Sequence, residues 1–131
     1  MSNTTALVAT ALIIGGAIAW IFLAPTETAP PNSEPQNPVT IQDGTQIITI
    51  NVKSGYHPRK VVAQAGIPTN ITFVTNNNFD CSNDILIPAL GTRTQLEPKG
   101  TKTVPLGTQE KGAVISGGCS MNMYNFNITF Q

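Results

Sequence analysis

The chain has 131 residues, and seven Lys and Arg balance seven Asp and Glu to a formal net charge of zero. Without a basic surplus, nucleic acid is excluded as a partner, because phosphate binding rests on Lys and Arg. A single His and two Cys exclude His-rich zinc chemistry and any centre that needs two imidazoles from this chain.

The first element is apolar. Residues Ala6 to Ala24 read ALVATALIIGGAIAWIFLA, with no charge and one Thr. As a helix rising ~1.5 Å per residue, this run spans about 28 Å, close to the hydrocarbon thickness of a bilayer. It predicts a transmembrane anchor over residues 1–24, with Trp20 at an interface. A cleaved signal peptide is the rival reading. Against it, the leading MSNTT has no Lys or Arg, and both candidate cleavage points, after Ala24 and Ala29, are followed by Pro. The expected location is therefore the cell membrane, crossed once. The first basic residue is Lys53, too far along for the positive-inside rule to assign a face.

Residues 25–38 hold five of the ten prolines together with Glu27 and Glu34. That composition predicts an extended tether of polyproline II character. The domain follows over residues 39–131, and its periodicity is that of strands. Ile48, Ile50 and Val52 alternate with polar residues, as do Ile71 and Phe73, and then Phe126, Ile128 and Phe130. Shorter apolar runs stand at Val61-Val62, Ile85-Leu86-Ile87 and Val114-Ile115, and turn chemistry such as Asp43-Gly44, Ser54-Gly55 and Asn76-Asn77-Asn78 separates the segments. No window carries a helical stripe. About seven short strands in a domain of this size predict an all-β fold, an antiparallel sandwich or small barrel.

The chemistry-bearing residues are sulfur. Cys81 follows the Asn-rich loop, and Cys119-Ser120-Met121-Asn122-Met123 contains both Met residues other than the initiator. Thiolates and thioethers select copper(I) among biological metals. In an extended strand Cys119, Met121 and Met123 share one face, but at ~7 Å per step one ion cannot reach all three. Either the segment bends, which Gly117-Gly118 would permit, or the ligands serve more than one ion. Two plainer readings compete. Cys81 and Cys119 could close a disulfide, or Met121 and Met123 could be core residues. The lone His57 sits in a Tyr-His-Pro turn and reads as an exposed loop residue, which leaves a blue-copper set of two His and one Cys unfilled. Asp80 and Asp84 read as loop-capping neighbours of Cys81. No Ser-His-Asp set, paired-carboxylate cleft or phosphate loop emerges, so an enzyme is not expected.

Taken in order, Gly55-Tyr56-His57-Pro58, Val61 to Gly66, Phe73, Asp80-Cys81-Ser82, Ile85 to Pro88, Leu96-Glu97-Pro98-Lys99-Gly100 and Cys119-Ser120-Met121-Asn122-Met123-Tyr124 resemble cupredoxin-like copper-binding domains. The likeness is greatest to membrane-anchored copper(I) chaperones and to the cupredoxin-like metal-binding domains of copper-exporting ATPases. It covers roughly Gln46 to Gln131. The resemblance implies a Greek-key cupredoxin sandwich and a copper(I) centre of one or two ions. Cys81 and Cys119 would be its shared thiolates, and Met121 and Met123 its thioethers. It also implies a role in sequestering copper or delivering it to a copper-transporting ATPase or another copper acceptor. Asn122 stands where the family pattern has Gly between the Met residues, Asn125 where a basic residue or Gly is common, and Lys99 separates Pro98 from Gly100. The alternatives are a membrane-tethered, disulfide-stapled interaction domain and an electron-transfer cupredoxin.

Overall fold

A computed structural model describes residues 38–131. The expected anchor over residues 1–24, and all of the expected tether but Pro38, lie outside the described residues. Among these, no helix is long and apolar enough to cross a membrane.

Among the described residues ten strands form, in chain order β1 (Val39–Gln42), β2 (Thr45–Val52), β3 (Tyr56–His57), β4 (Lys60–Ala63), β5 (Pro68–Thr75), β6 (Asp84–Ile87), β7 (Thr92–Gln95), β8 (Gly100–Thr108), β9 (Val114–Cys119) and β10 (Asn125–Phe130). One sheet has the order β1-β2-β5-β8, with β3 beside β2, and the other has the order β4-β10-β9-β6-β7. The alternation in the sequence becomes burial. Ile48, Ile50 and Val52 of β2, Ile71 and Phe73 of β5, and Phe126, Ile128 and Phe130 of β10 all turn inward and join one core. Each such side chain contributes about 1.5–3 kcal/mol on leaving water. Tyr56, Phe73 and Phe126 meet edge-to-face at centroid separations of 5.0 to 6.5 Å, the arrangement their quadrupoles favour.

The sheets are mixed, which corrects the expectation of an antiparallel sandwich. β2 runs parallel to β5 and β4 runs parallel to β10. The reason lies in the connection. After β2 the chain passes through β3 and β4, and β4 joins the opposite sheet before β5 returns beside β2. A parallel pair needs such a crossover, and no helix is required to supply it.

Four strands escaped the periodicity argument: β1, β3, β7 and β8. In β8 only Val104 and Leu106 are buried, and β7 reads Thr-Arg-Thr-Gln with no buried residue. Both end their sheets, so among the described residues their outer backbone edges face no partner strand. Pro105 and Lys102 on β8 are residues that discourage further pairing there.

Candidate metal centre

Cys81 is placed by a polar scaffold. The loop after β5 buries Asn78, whose Nδ2 donates to Ser82 Oγ at 2.8 Å and to Asn83 Oδ1 at 2.6 Å. Asn83 Nδ2 donates back to the Asn78 carbonyl at 2.8 Å. Asp80 caps the short 3-10 helix Cys81–Asn83, accepting from the Ser82 N–H at 2.8 Å and from the Ser82 hydroxyl. Burial works against the charged form of Asp80. The hydrogen bonds from Ser82 and Asn78 outweigh it and hold the carboxyl below its ordinary value. From the core side, buried Tyr56 donates its phenol to the Ser82 carbonyl at 3.0 Å. Burial, followed by the nearby thiols and carboxylates, pushes that phenol's pKa up, so it stays a donor. Among the described residues no buried side-chain polar atom lacks a hydrogen-bond partner. The first residue of the turn, Cys81, is therefore fixed while its side chain remains partly exposed.

Cys119 is placed by a hairpin. It ends β9 and is only 5% exposed. Its N–H donates to the Tyr124 carbonyl at 3.0 Å, and its own carbonyl accepts from the Asn122 N–H at 2.9 Å. The bend thus lies after Cys119, not at Gly117-Gly118. Asn122 takes it with φ +59°, a left-handed conformation that Asn tolerates better than most residues. The glycines serve close approach instead. A Cβ at Gly117 would lie 2.4 Å from the Phe126 ring, and one at Gly118 would lie 2.4 Å from the Tyr124 carbonyl. Gly55, at φ +120°, likewise makes room for the Tyr124 ring.

The two segments converge. Cys81 Sγ and Cys119 Sγ are 3.4 Å apart, and Met123 Sδ is 3.9 Å from Cys81 Sγ. Both cysteines are free thiols. The Met123 and Tyr124 N–H groups point at Cys119 Sγ from 3.2 and 3.4 Å. Burial disfavours the Cys119 thiolate. The Tyr124 N–H, the Cys81 thiol and the Met123 and Met121 N–H groups together outweigh it and pull its pKa below the ordinary thiol value. Cys81 is pushed the other way, by desolvation and then by its neighbour Cys119. Of the two thiols, Cys119 is therefore the more acidic.

Of the four sulfur residues singled out from sequence, Cys81, Cys119 and Met123 are brought into contact. Met121 shares their loop, contributing an N–H toward Cys119 while its side chain is 69% exposed. Met123 is 64% exposed. Neither Met is a core residue, so the core reading fails for both. His57 is exposed, in β3 rather than a loop, with Nε2 3.2 Å from the Lys53 carbonyl. Among the described residues no group of three or more His, Cys, Asp and Glu could hold a metal ion. The donors this cluster offers are two thiols and the Met thioethers, a set that suits a soft monovalent cation.

Tyr56, Asn78 and Ser120 are the residues whose roles the sequence reading missed, whereas Asp84 caps the Cys81 turn as its position suggested. Tyr56 stood there only as part of a Gly-Tyr-His-Pro motif. An aromatic with a polar tip just after the Ser54-Gly55 turn is the signal that could have marked it as an inward donor.

The cupredoxin-like domain model matches residues 12–128. A copper binding protein solved in its apo form by NMR in solution is 26% identical, with a TM-score of 0.64, covering 71% of this chain and 94% of its own. The metal binding domain of the Streptococcus pneumoniae D39 Cu(I) exporting P-type ATPase CopA, crystallised with Cu(I), is 29% identical, with a TM-score of 0.64, covering 71% of this chain and 92% of its own. No curated protein matches the chain by sequence.

Proposed function

The chain belongs to the cupredoxin-like domain family, and from that premise we propose that it is a membrane-anchored copper(I)-binding protein. Cys81 and Cys119 are the thiolate ligands, and Met121 and Met123 the thioethers. One observation carries the reading: two free thiols 3.4 Å apart with a Met sulfur beside them, in a chain similar to a copper binding protein and to a Cu(I)-bound domain. Copper(I) is cargo here, and the protein is not an enzyme. Met ligands on an exposed loop suit transfer, because an acceptor thiolate can enter the coordination shell before a donor leaves. The acceptor we propose is a copper-transporting ATPase or another copper-handling protein. The apolar run Ala6 to Ala24 supports single-span anchoring in the cell membrane.

Metal choice tests the reading. The full chain, reduced and kept anaerobic, is expected to take up copper(I) in strong preference to zinc and copper(II). The copper-loaded protein should lack the intense blue absorption of a His-ligated copper(II) site. A stable blue protein on oxidation would contradict the sulfur ligand set and favour electron transfer.

A further inference from the structure

Asp84 touches both cysteine-bearing segments at once. Its N–H donates to the Cys81 carbonyl, closing the short helix that carries the first thiol. Its carbonyl accepts from the Ser120 N–H at 3.1 Å, and its carboxylate accepts from the Ser120 hydroxyl at 2.5 Å. Ser120 is the residue after Cys119, and Ile85, the residue after Asp84, pairs with Cys119 itself. Arg93 on β7 then grips the same carboxylate with two donors, Nε to Oδ1 at 2.9 Å and Nη2 to Oδ2 at 2.5 Å. Bidentate pairing of this kind fixes orientation as well as charge.

The ion pair is poorly placed to stabilise the fold. The Arg93 side chain is 66% exposed and that of Asp84 23%, and pairs of this exposure contribute little. Its placement points to geometry. The Asp84 backbone can only anchor the two segments near one another. The carboxylate, held by Arg93, sets how the chain leaves Cys119 and therefore where Met121 and Met123 project.

We infer that Asp84, oriented by Arg93 and joined to Ser120, is a positioning residue that fixes the separation of Cys81 and Cys119 and the path of the Met121–Met123 loop. This rests on the copper(I) reading for its consequence but not for its geometry. Partners one step removed from the ligands typically change metal affinity 10–100-fold when removed.

The test uses the full chain with Ser120→Ala, Ser120→Thr, Asp84→Asn and Arg93→Gln, and Thr103→Ala as a remote control. Copper(I) affinity is measured anaerobically against a competing chelator, with thermal melting in parallel. A second, metal-free readout is equilibration with glutathione. One protein thiolate attacks glutathione disulfide and releases one glutathione thiolate; the second protein thiol then displaces the other glutathione and closes the protein disulfide. The net exchange converts two protein thiols and one glutathione disulfide into one protein disulfide and two glutathione thiols. Its position reports how closely Cys81 and Cys119 are held.

Ser120→Ala and Asp84→Asn are expected to weaken copper(I) binding about tenfold or more, with melting close to wild type. Both should shift the glutathione equilibrium toward the dithiol. Ser120→Thr, which keeps the hydroxyl, restores both readouts, and Thr103→Ala changes neither. If the wild type takes up no copper(I) but the glutathione shift appears, the positioning role stands and the copper reading falls. Wild-type copper affinity together with a wild-type thiol equilibrium in both Ser120→Ala and Asp84→Asn would overturn the inference, as would losses that merely track the melting temperature.

Discussion

Cys119 receives hydrogen bonds from the backbone of its own hairpin and lies in contact with the other thiol. Those donors favour its thiolate before any metal arrives. Cys81 reaches the same point from a different segment, and Met123 adds a neutral sulfur. The division of labour follows from charge. Thiolates neutralise the cation, whereas thioethers complete its shell without adding charge. Replacing both Met121 and Met123 by Leu keeps the apolar bulk and removes the sulfur. Both side chains are largely exposed, so stability should change by less than ~1.5 kcal/mol. Copper(I) stoichiometry, or the weaker of two binding steps, is expected to fall in that variant while a thiolate-held ion remains. An unaltered copper(I) titration would show that neither Met is a ligand.

At the scale of elements, legibility divided along the core. β2, β5 and β10 each bury one face and leave the other, mostly polar, only partly covered, so their alternation could be read directly. β7 and β8 at the sheet edges bury little, and their residues give no period. The candidate ligands Cys81, Cys119, Met121 and Met123 stood out because sulfur is scarce in this chain. Their approach to one another did not, because it depends on the pairing of Ile85 with Cys119 and on a left-handed Asn122. Nor could the contact between Asp84 and Ser120, 36 residues apart, be seen without that register. It has a consequence in acid. Hydrogen bonds from Arg93 and Ser120 hold the Asp84 carboxyl down to about 2, against about 4 in an unfolded chain. The unfolded chain then binds the proton more tightly, so this stabilisation is complete above about pH 4 and lost as the pH falls toward 2. Being near the surface, it is small. Melting of the wild type and Asp84→Asn across this range is expected to show only a small gap at neutral pH, leaving the variant close to wild type there, and that gap closes in acid. A gap independent of pH would contradict the assignment.

At the scale of the whole molecule, the proposed arrangement is an anchor, a Pro-rich tether and a sandwich whose sulfur cluster joins a buried thiol at the end of β9 to an exposed Met loop. The anchor is tested by the intact mass of protein extracted from membranes. Retention of residues 1–24 is expected, and loss of the first 24 to 29 residues would mean a cleaved leader instead. The central claim is that two thiolates brought together by the fold hold copper(I). Anaerobic titration with copper(I) against a competing chelator, run on the wild type, Cys81→Ser and Cys119→Ser, tests it most directly. The account predicts tight uptake by the wild type and its loss in both variants, since each retains only one thiolate. Tight binding that survives either substitution, or a wild type that fails to compete with the chelator, would contradict it.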